Sequence, residues 1–83
     1  MKTIKRVQTD NAERIKMLYP LISLSFTYEN EAGETVSLLY PSEVTYGNYE
    51  ILFHDGDEQQ VERFETLRQA EVKIALILGG EIE

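Results

Sequence analysis

The amino-acid sequence predicts a single α+β domain, residues 1–83, in which a small antiparallel sheet of about four strands, arranged as a meander, packs against a C-terminal helix. A short N-terminal helix is also predicted. Apolar and polar residues alternate through the middle of the chain, as in half-buried strands. A capping box and an apolar stripe with helical spacing follow near the C-terminal end. The 83 residues, 42% of them hydrophobic, suffice for one core and leave no room for a second domain.

The first twenty residues predict a short helix after an irregular start. The first eight residues show no clear periodicity, so residues 1–9 are interpreted as a flexible arm or a short edge strand. Asp10 and Glu13 have the spacing of a capping box, and apolar residues follow at helical spacing. Pro20 would end this helix after about two turns.

The clearest strand pattern begins at Leu21 and predicts the first hairpin of the meander. Its apolar positions are Ile22, Leu24, Phe26 and Tyr28. Those of the second strand, which ends at Pro41, are Val36, Leu38 and Tyr40. A three-residue loop over residues 31–33 sets Tyr28 opposite Val36 and puts Gly33 where a left-handed conformation is needed.

A second hairpin is predicted, with one strand over about residues 49–54 and the other over about residues 59–64. A two-residue turn at Asp55-Gly56 would point Val61 away from the core. A three-residue loop that also includes Asp57 sets Val61 opposite Ile51 instead. We favour the longer loop because register follows burial.

A second capping box, from Thr66 to Gln69, predicts a helix from about Leu67 to Leu78, ahead of two glycines. Its apolar stripe consists of Leu67, Ala70, Ile74, Ile77 and Leu78. In a rival interpretation, the helix runs over residues 57–71 and residues 72–78 form a last strand. We favour the first interpretation because the apolar residues of the rival helix drift around its surface.

Acidic residues concentrate at the predicted hairpin tips. They are Glu29, Glu31, Glu34, Asp55, Asp57 and Glu58. Alternate turns of a meander share one edge, so both tips are expected at the same end of the sheet. The C-terminal helix must run back across the sheet, which returns Glu81 and Glu83 to that end. Such a cluster of carboxylates predicts binding to a basic surface of another protein, although solvation of exposed loops also explains these charges.

The net charge of −7 is unevenly distributed along the chain. Residues 1–20 contain five Lys and Arg against two Asp and Glu and carry +3, so the other 63 residues carry −10. An acidic body repels phosphate backbones. A protein partner is therefore favoured over nucleic acid unless the basic N-terminal segment acts alone.

Two further sets of apolar residues are candidates for contact with another chain. Tyr46 and Leu52 are possible apolar anchors for a partner protein. Val72, Ala75 and Leu76 lie away from the predicted buried stripe of the C-terminal helix. Either residues 10–19 cover these three residues or a second copy of the chain does, so the pattern is compatible with a monomer and with a homodimer.

The composition excludes most catalytic and metal chemistry. The chain has no cysteine and a single histidine, His54, which rules out thiolate sites, cysteine nucleophiles and metal cages with two imidazoles. Asp55 and Asp57 lack the remaining oxygen ligands of a calcium-binding loop. We expect no enzymatic activity, no cofactor and no metal. No run of about 18 apolar residues predicts a membrane helix, and a cytoplasmic location is expected.

The sequence thus predicts a small acidic, non-enzymatic protein-interaction module, a regulator or inhibitor that binds a basic surface of a larger protein. The alternative is a nucleic-acid-associated accessory protein that contacts phosphate through its basic N-terminal segment.

Overall fold

The computed structural model describes residues 3–8, 25–43 and 45–83, with the backbone alone for residues 7 and 8. The strands are β1 (Thr3–Gln8), β2 (Ser25–Glu29), β3 (Thr35–Leu39), β4 (Tyr49–Asp55), β5 (Glu58–Phe64) and β6 (Glu81–Ile82), and the helix is α1 (Leu67–Leu78). The strands form one mixed sheet in the order β5-β4-β3-β2-β1-β6. β6 runs parallel to β1, and the other neighbours are antiparallel. The predicted α+β class is confirmed.

The sheet is larger than the four antiparallel strands predicted. The meander from β2 to β5 has the predicted order, but β1 pairs with β2 on one side and with β6 on the other. Of the two interpretations of the N-terminal segment, the strand is therefore correct for residues 3–8, although β6 covers its start and makes it an inner strand there. Sequence patterning left the two interpretations open because Lys5 and Arg6 interrupt the apolar pattern of β1, and it missed β6 because that strand has two residues. The predicted N-terminal helix, residues 10–19, lies outside the described residues.

The first hairpin has the predicted register. Tyr28 pairs with Val36, and Phe26 pairs with Leu38. Gly33 has a φ of 84°, the left-handed conformation that the last position of a three-residue hairpin loop requires. Local turn chemistry and the burial of one sheet face agree here, which is why the register could be predicted.

The register predicted for the second hairpin is wrong by one residue. Asp55 pairs with Glu58, so the loop has two residues. Gly56, with a φ of 66°, stands at the first loop position, as a type II′ turn requires. Val61 therefore pairs with Leu52 on the face away from α1 and is 51% exposed.

The register set by the two-residue turn puts a charged residue, and not Val61, on the helix side of the sheet. Glu62 occupies the position beside Ile51. Its carboxylate lies 3.7 Å from the Nζ of Lys73 on α1. At this edge of the sheet a charged contact replaces the apolar contact that the burial argument assumes.

α1 has the predicted bounds, so the rival interpretation of residues 72–78 as a strand is wrong. The Thr66 hydroxyl accepts a hydrogen bond from the Gln69 N–H at 3.2 Å. The Gln69 side chain accepts one from the Thr66 N–H at 3.2 Å, which completes the capping box. Gly79 ends the helix in the left-handed conformation.

The core lies between α1 and the facing side of the sheet. Its buried members are Ile4, Tyr28, Val36, Leu38, Ile51, Ala70, Ile74 and Leu78. Phe26, Tyr40 and Tyr49 flank this core in consecutive edge-to-face contacts, with ring centroids 5.5 and 5.2 Å apart. Burial of this face fixes α1 across the sheet and returns the chain to the edge at which β6 pairs with β1.

The opposite face of the sheet is partly covered as well. Leu39 and Glu50, a cross-strand pair on this face, are buried. They lie at the end of the sheet where residues 40–48 connect β3 to β4. From this connection the ring of Tyr46 reaches Arg63 on β5, with the guanidinium carbon 5.1 Å from the ring centroid.

Tyr28 is fully buried, and its hydroxyl has no well-formed hydrogen bond to the described residues. Burial raises the pKa of this hydroxyl; the Glu71 carboxylate and Tyr40 raise it further, while the Arg6 guanidinium on β1 opposes the rise. In the folded chain the hydroxyl therefore keeps its proton at a pH at which the unfolded chain releases it.

We expect Tyr28→Phe to change the free energy of unfolding at pH 7 by no more than about 1 kcal/mol, because the buried hydroxyl that it removes has at most a weak hydrogen bond to Arg6. Above about pH 10 the wild type loses stability as the unfolded state releases its proton, and the variant loses less. Urea unfolding at pH 7 and at about pH 10.5 measures both effects, with the partly exposed Tyr40→Phe as the control. A loss above about 1 kcal/mol at pH 7 would contradict this account.

Candidate protein-docking site

The register of the sheet puts both hairpin tips at one end. Glu29 pairs with Thr35 at the first tip, and Asp55 pairs with Glu58 at the second. Because β3 and β4 are antiparallel, the start of β3 and the end of β4 lie side by side. The acidic residues predicted to bind a partner therefore lie at the same end. They are all exposed: Glu29, Glu31, Glu34, Asp55, Asp57 and Glu58.

The segment after α1 adds two more carboxylates to this end. β6 runs beside the start of β1, with Glu81 opposite Thr3, and the Glu83 N–H donates to the Ile4 carbonyl at 3.0 Å. β1 starts where β2 ends because these two strands are antiparallel. We call the eight exposed carboxylates of this end the acidic pole: Glu29, Glu31, Glu34, Asp55, Asp57, Glu58, Glu81 and Glu83. Six strands spaced by about 4.8 Å make the acidic pole about 24 Å wide.

Among the described residues, one lysine lies within the acidic pole. Lys5 pairs with Glu29 across the strands, and both line a shallow groove between β1 and the first hairpin tip. Within the described residues, the two ion pairs shorter than 4 Å both lie outside the acidic pole. Its carboxylates therefore remain exposed to solvent and open to a partner of opposite charge.

Asn30 joins the first hairpin tip to the end of α1. Its side-chain amide donates to the Leu78 carbonyl at 2.9 Å and to the Glu34 carboxylate at 3.0 Å. Its side-chain oxygen accepts from the N–H groups of Ala32 at 3.1 Å and Glu34 at 2.9 Å. Since Leu78 is the last residue of α1, one buried side chain connects two of the segments that carry the acidic pole.

The structure separates the candidate apolar anchors from the acidic pole. Tyr46 lies in the connection between β3 and β4, at the opposite end of β4 and about 20 Å from the acidic pole. Leu52 lies midway along β4 on the face away from α1, paired with Ser37 and Val61. Neither side chain belongs to one compact contact with the carboxylates.

Hydrogen bonds within the connection hold Tyr46 in an exposed position. Thr45 is buried, and its hydroxyl accepts from the Ser42 N–H at 2.9 Å. Tyr46 itself is 77% exposed and has a φ of 55°, which is unusual for an aromatic residue. The Arg63 guanidinium lies over its ring and is held by the buried Glu50 carboxylate at 2.8 Å. Tyr46 and Arg63 thus form a second, separate surface feature.

The candidate dimer residues lie in two environments. Val72 is 54% exposed and Leu76 is 73% exposed on the outer side of α1. Ala75 is partly buried and packs against the core. An open groove beside them is lined from α1 by Arg68, Glu71, Val72 and Ala75, and from β6 by Glu81 and Ile82.

Sequence patterning misses two polar residues that organise these surfaces, Asn30 and Arg63. Asn30 stands just before a turn that contains glycine, where asparagine commonly bonds to the backbone two residues on, so its loop role has a local signal. Its bond to Leu78, 48 residues along the chain, has none. The bond from Arg63 to Glu50 likewise depends on strand pairing.

No group of three or more His, Asp and Glu side chains in the described ranges is arranged to hold a metal ion. In these ranges, no helix combines the length and the apolar character that crossing a bilayer requires. No protein-family model matches the chain, and comparisons with curated proteins and with solved structures found no significant match.

Proposed function

We propose that the protein is a small non-enzymatic interaction module that docks its acidic pole on a basic surface of a larger protein and acts there as a regulator or inhibitor. The observation that carries the proposal is the meeting of three separate chain segments, the two hairpin tips and β6, at one end of the sheet. The partner is expected to present lysine and arginine side chains over a surface about 24 Å wide.

The physical basis is electrostatic steering. The carboxylates are exposed, so each one retains its hydration and contributes little by itself to affinity. Together they produce a negative potential at one end of the molecule that speeds association with a positive surface and weakens as salt is added. Asn30 supports this role because it holds one hairpin tip against the end of α1 before a partner arrives.

The position of two N-terminal cations favours this proposal over binding of nucleic acid through the basic segment. Lys5 faces Glu29 within the acidic pole, and the Arg6 guanidinium lies 4.7 Å from the centre of the Phe26 ring. Neither is part of an arm that could bind phosphate separately from the body of the sheet.

Neutralising the second hairpin tip tests the proposal. We expect the triple variant Asp55→Asn, Asp57→Asn, Glu58→Gln to weaken partner binding by a factor of about ten or more, chiefly through a slower association rate. The partner is first captured from a lysate of the source cells at low and high salt, and the affinity of the purified pair is then measured. If nucleic acid were the ligand, replacing the basic residues outside β1, Lys2, Arg14 and Lys16, with glutamine would abolish binding while β1 keeps its place in the sheet.

The matched control uses exposed carboxylates at the opposite end of the sheet. The double variant Glu43→Gln, Glu65→Gln removes two charges and is expected to change the binding affinity less than about twofold. It is compared with the double variant Asp57→Asn, Glu58→Gln, which removes the same number of charges from the acidic pole. Equal effects of the two double variants would indicate that net charge alone matters. Unchanged binding of the triple variant, or capture that does not depend on salt, would remove the acidic pole as the docking site.

A further inference from the structure

We propose that the outer side of α1 is a homodimer interface in which the helix packs antiparallel against α1 of a second copy. The interface centres on the helix ridge, defined as Arg68, Val72 and Leu76, three residues spaced by four and therefore aligned along one side of the helix. Its two aliphatic side chains, with exposures of 54% and 73%, are the most exposed on the described part of α1. The proposal does not require the acidic pole to bind a partner, although one carboxylate of that pole, Glu81, takes part in the contact.

The order of side chains along the ridge is self-complementary. A two-fold axis requires each residue to meet its counterpart in reverse order, since the same patch is used by both subunits. With the helices antiparallel and Val72 packed on Leu76 of the second copy, Leu76 packs on Val72 of that copy in turn. The same register carries Arg68 to the far end of the second helix, at the turn that leads to Glu81.

The distribution of charge along α1 favours a second copy of the chain as the partner of the helix ridge. Arg68 lies in the first turn of α1, where a cation is disfavoured by the helix dipole of its own chain, and that turn contains no acidic residue. The last turn contains no basic residue. In the antiparallel dimer, Arg68 lies beside the C-terminal end of the other helix, where the dipole and the Glu81 carboxylate both favour a cation.

The open groove between α1 and β6 gives this contact its shape. Arg68, Val72 and Ala75 line it from the helix, and Glu81 and Ile82 line it from the strand. Glu71 and Glu83 line it as well, so Arg68 is the one cation among the described residues of its lining and the end at β6 is acidic. A two-fold rotation brings Arg68 of one copy to the acidic end of the other. Because the helices are antiparallel, the two acidic poles point in opposite directions and the dimer is bivalent.

Sedimentation of the full chain over about 5–500 µM tests the proposal, because an interface with two aliphatic side chains per copy is small and weak. The wild type is expected to shift from monomer to dimer over this range. Leu76→Glu is expected to weaken the dimer about 30-fold or more, as truncation at the centre of an interface does. Val61→Glu, which changes a similarly exposed aliphatic residue on the other face of the sheet, is the matched control and is expected to leave the dimer unchanged.

A charge exchange tests the register. Arg68→Glu and Glu81→Arg are each expected to weaken the dimer about tenfold, and the double variant to recover most of this loss, because the pair is re-formed with reversed charges. All these positions are exposed, and circular dichroism checks that each variant is folded. A wild type that stays monomeric at every concentration would overturn the proposal. A dimer that resists Leu76→Glu, or single variants that the double variant does not rescue, would overturn it as well.

Discussion

Replacing Asn30 with alanine is expected to lower the free energy of unfolding by about 2–3 kcal/mol, since the side chain makes four hydrogen bonds, one of them buried. For a domain of this size such a loss corresponds to a fall of about 10–20 °C in Tm. Part of the effect is the buried Leu78 carbonyl, which is left without its partner at the end of α1. Urea unfolding, monitored by circular dichroism, measures the change.

Two variants separate the roles of the Asn30 side chain. Asn30→Asp keeps the oxygen that accepts from Ala32 and Glu34 but loses the donor to Leu78 and puts a negative charge at the negative end of the helix dipole. It is therefore expected to lose at least half as much stability as Asn30→Ala. Asn48→Ala, in the other loop, breaks weaker bonds of 3.2 and 3.4 Å and should cost less than about 1 kcal/mol. A similar cost for Asn48→Ala and Asn30→Ala would refute the link between hairpin and helix.

The second large effect is expected for Arg63→Ala, with a loss of about 2–3 kcal/mol. The Glu50 residue is 7% exposed, and the Arg63 Nε donates to its carboxylate at 2.8 Å. Removing the arginine leaves a buried charge without a partner, which is costlier than losing an exposed ion pair. The outer half of Arg63 is solvated, so the expected loss lies below that of a fully buried pair.

A double-mutant cycle isolates this interaction. Glu50→Gln removes the buried charge, and the combination with Arg63→Ala is expected to cost less than the sum of the single changes by about 1–2 kcal/mol. Arg63→Lys keeps the charge but not the planar fork and should lose an intermediate amount. If Arg63→Ala costs less than about 0.5 kcal/mol, the Glu50 carboxylate is sufficiently hydrated without it.

These two interactions stabilise opposite ends of the sheet and have different expected consequences for function. Asn30 lies at the acidic pole, so its replacement should weaken partner binding as well as stability. Arg63 lies at the other end, beside Tyr46, and its replacement should leave binding through the acidic pole unchanged once the chain is folded. Binding that falls with Arg63→Ala alone would place the partner contact at Tyr46.

The candidate docking site could be predicted in part because it depends on topology. A meander places alternate turns at one edge, and the alternation from Leu21 to Tyr28 is regular enough to define its first hairpin. The positions of Tyr46 and Leu52 relative to the acidic pole could not be predicted in the same way. Their distances depend on strand lengths and on the folding of the connection, neither of which the residue pattern specifies.

Local patterns in the sequence determined the elements whose stability is local. The capping box at Thr66, the glycine at position 79 and the apolar stripe between them predicted the bounds of α1, because the groups that cap a helix lie within a few residues of its ends. The loop glycine at position 33 and the alternation around it determined the first hairpin in the same way. The clustering of acidic residues at both hairpin tips was also visible in the residue order.

Tertiary structure alone decided the remaining features. β6, a strand of two residues, exists because α1 delivers the chain to the open edge of β1, where its backbone groups find partners. The burial of Glu50 depends on its cross-strand contact with Arg63, 13 residues along the chain. In each case the stabilising interaction joins groups that are far apart in the chain. The residue pattern within one segment does not indicate which other segment it will contact.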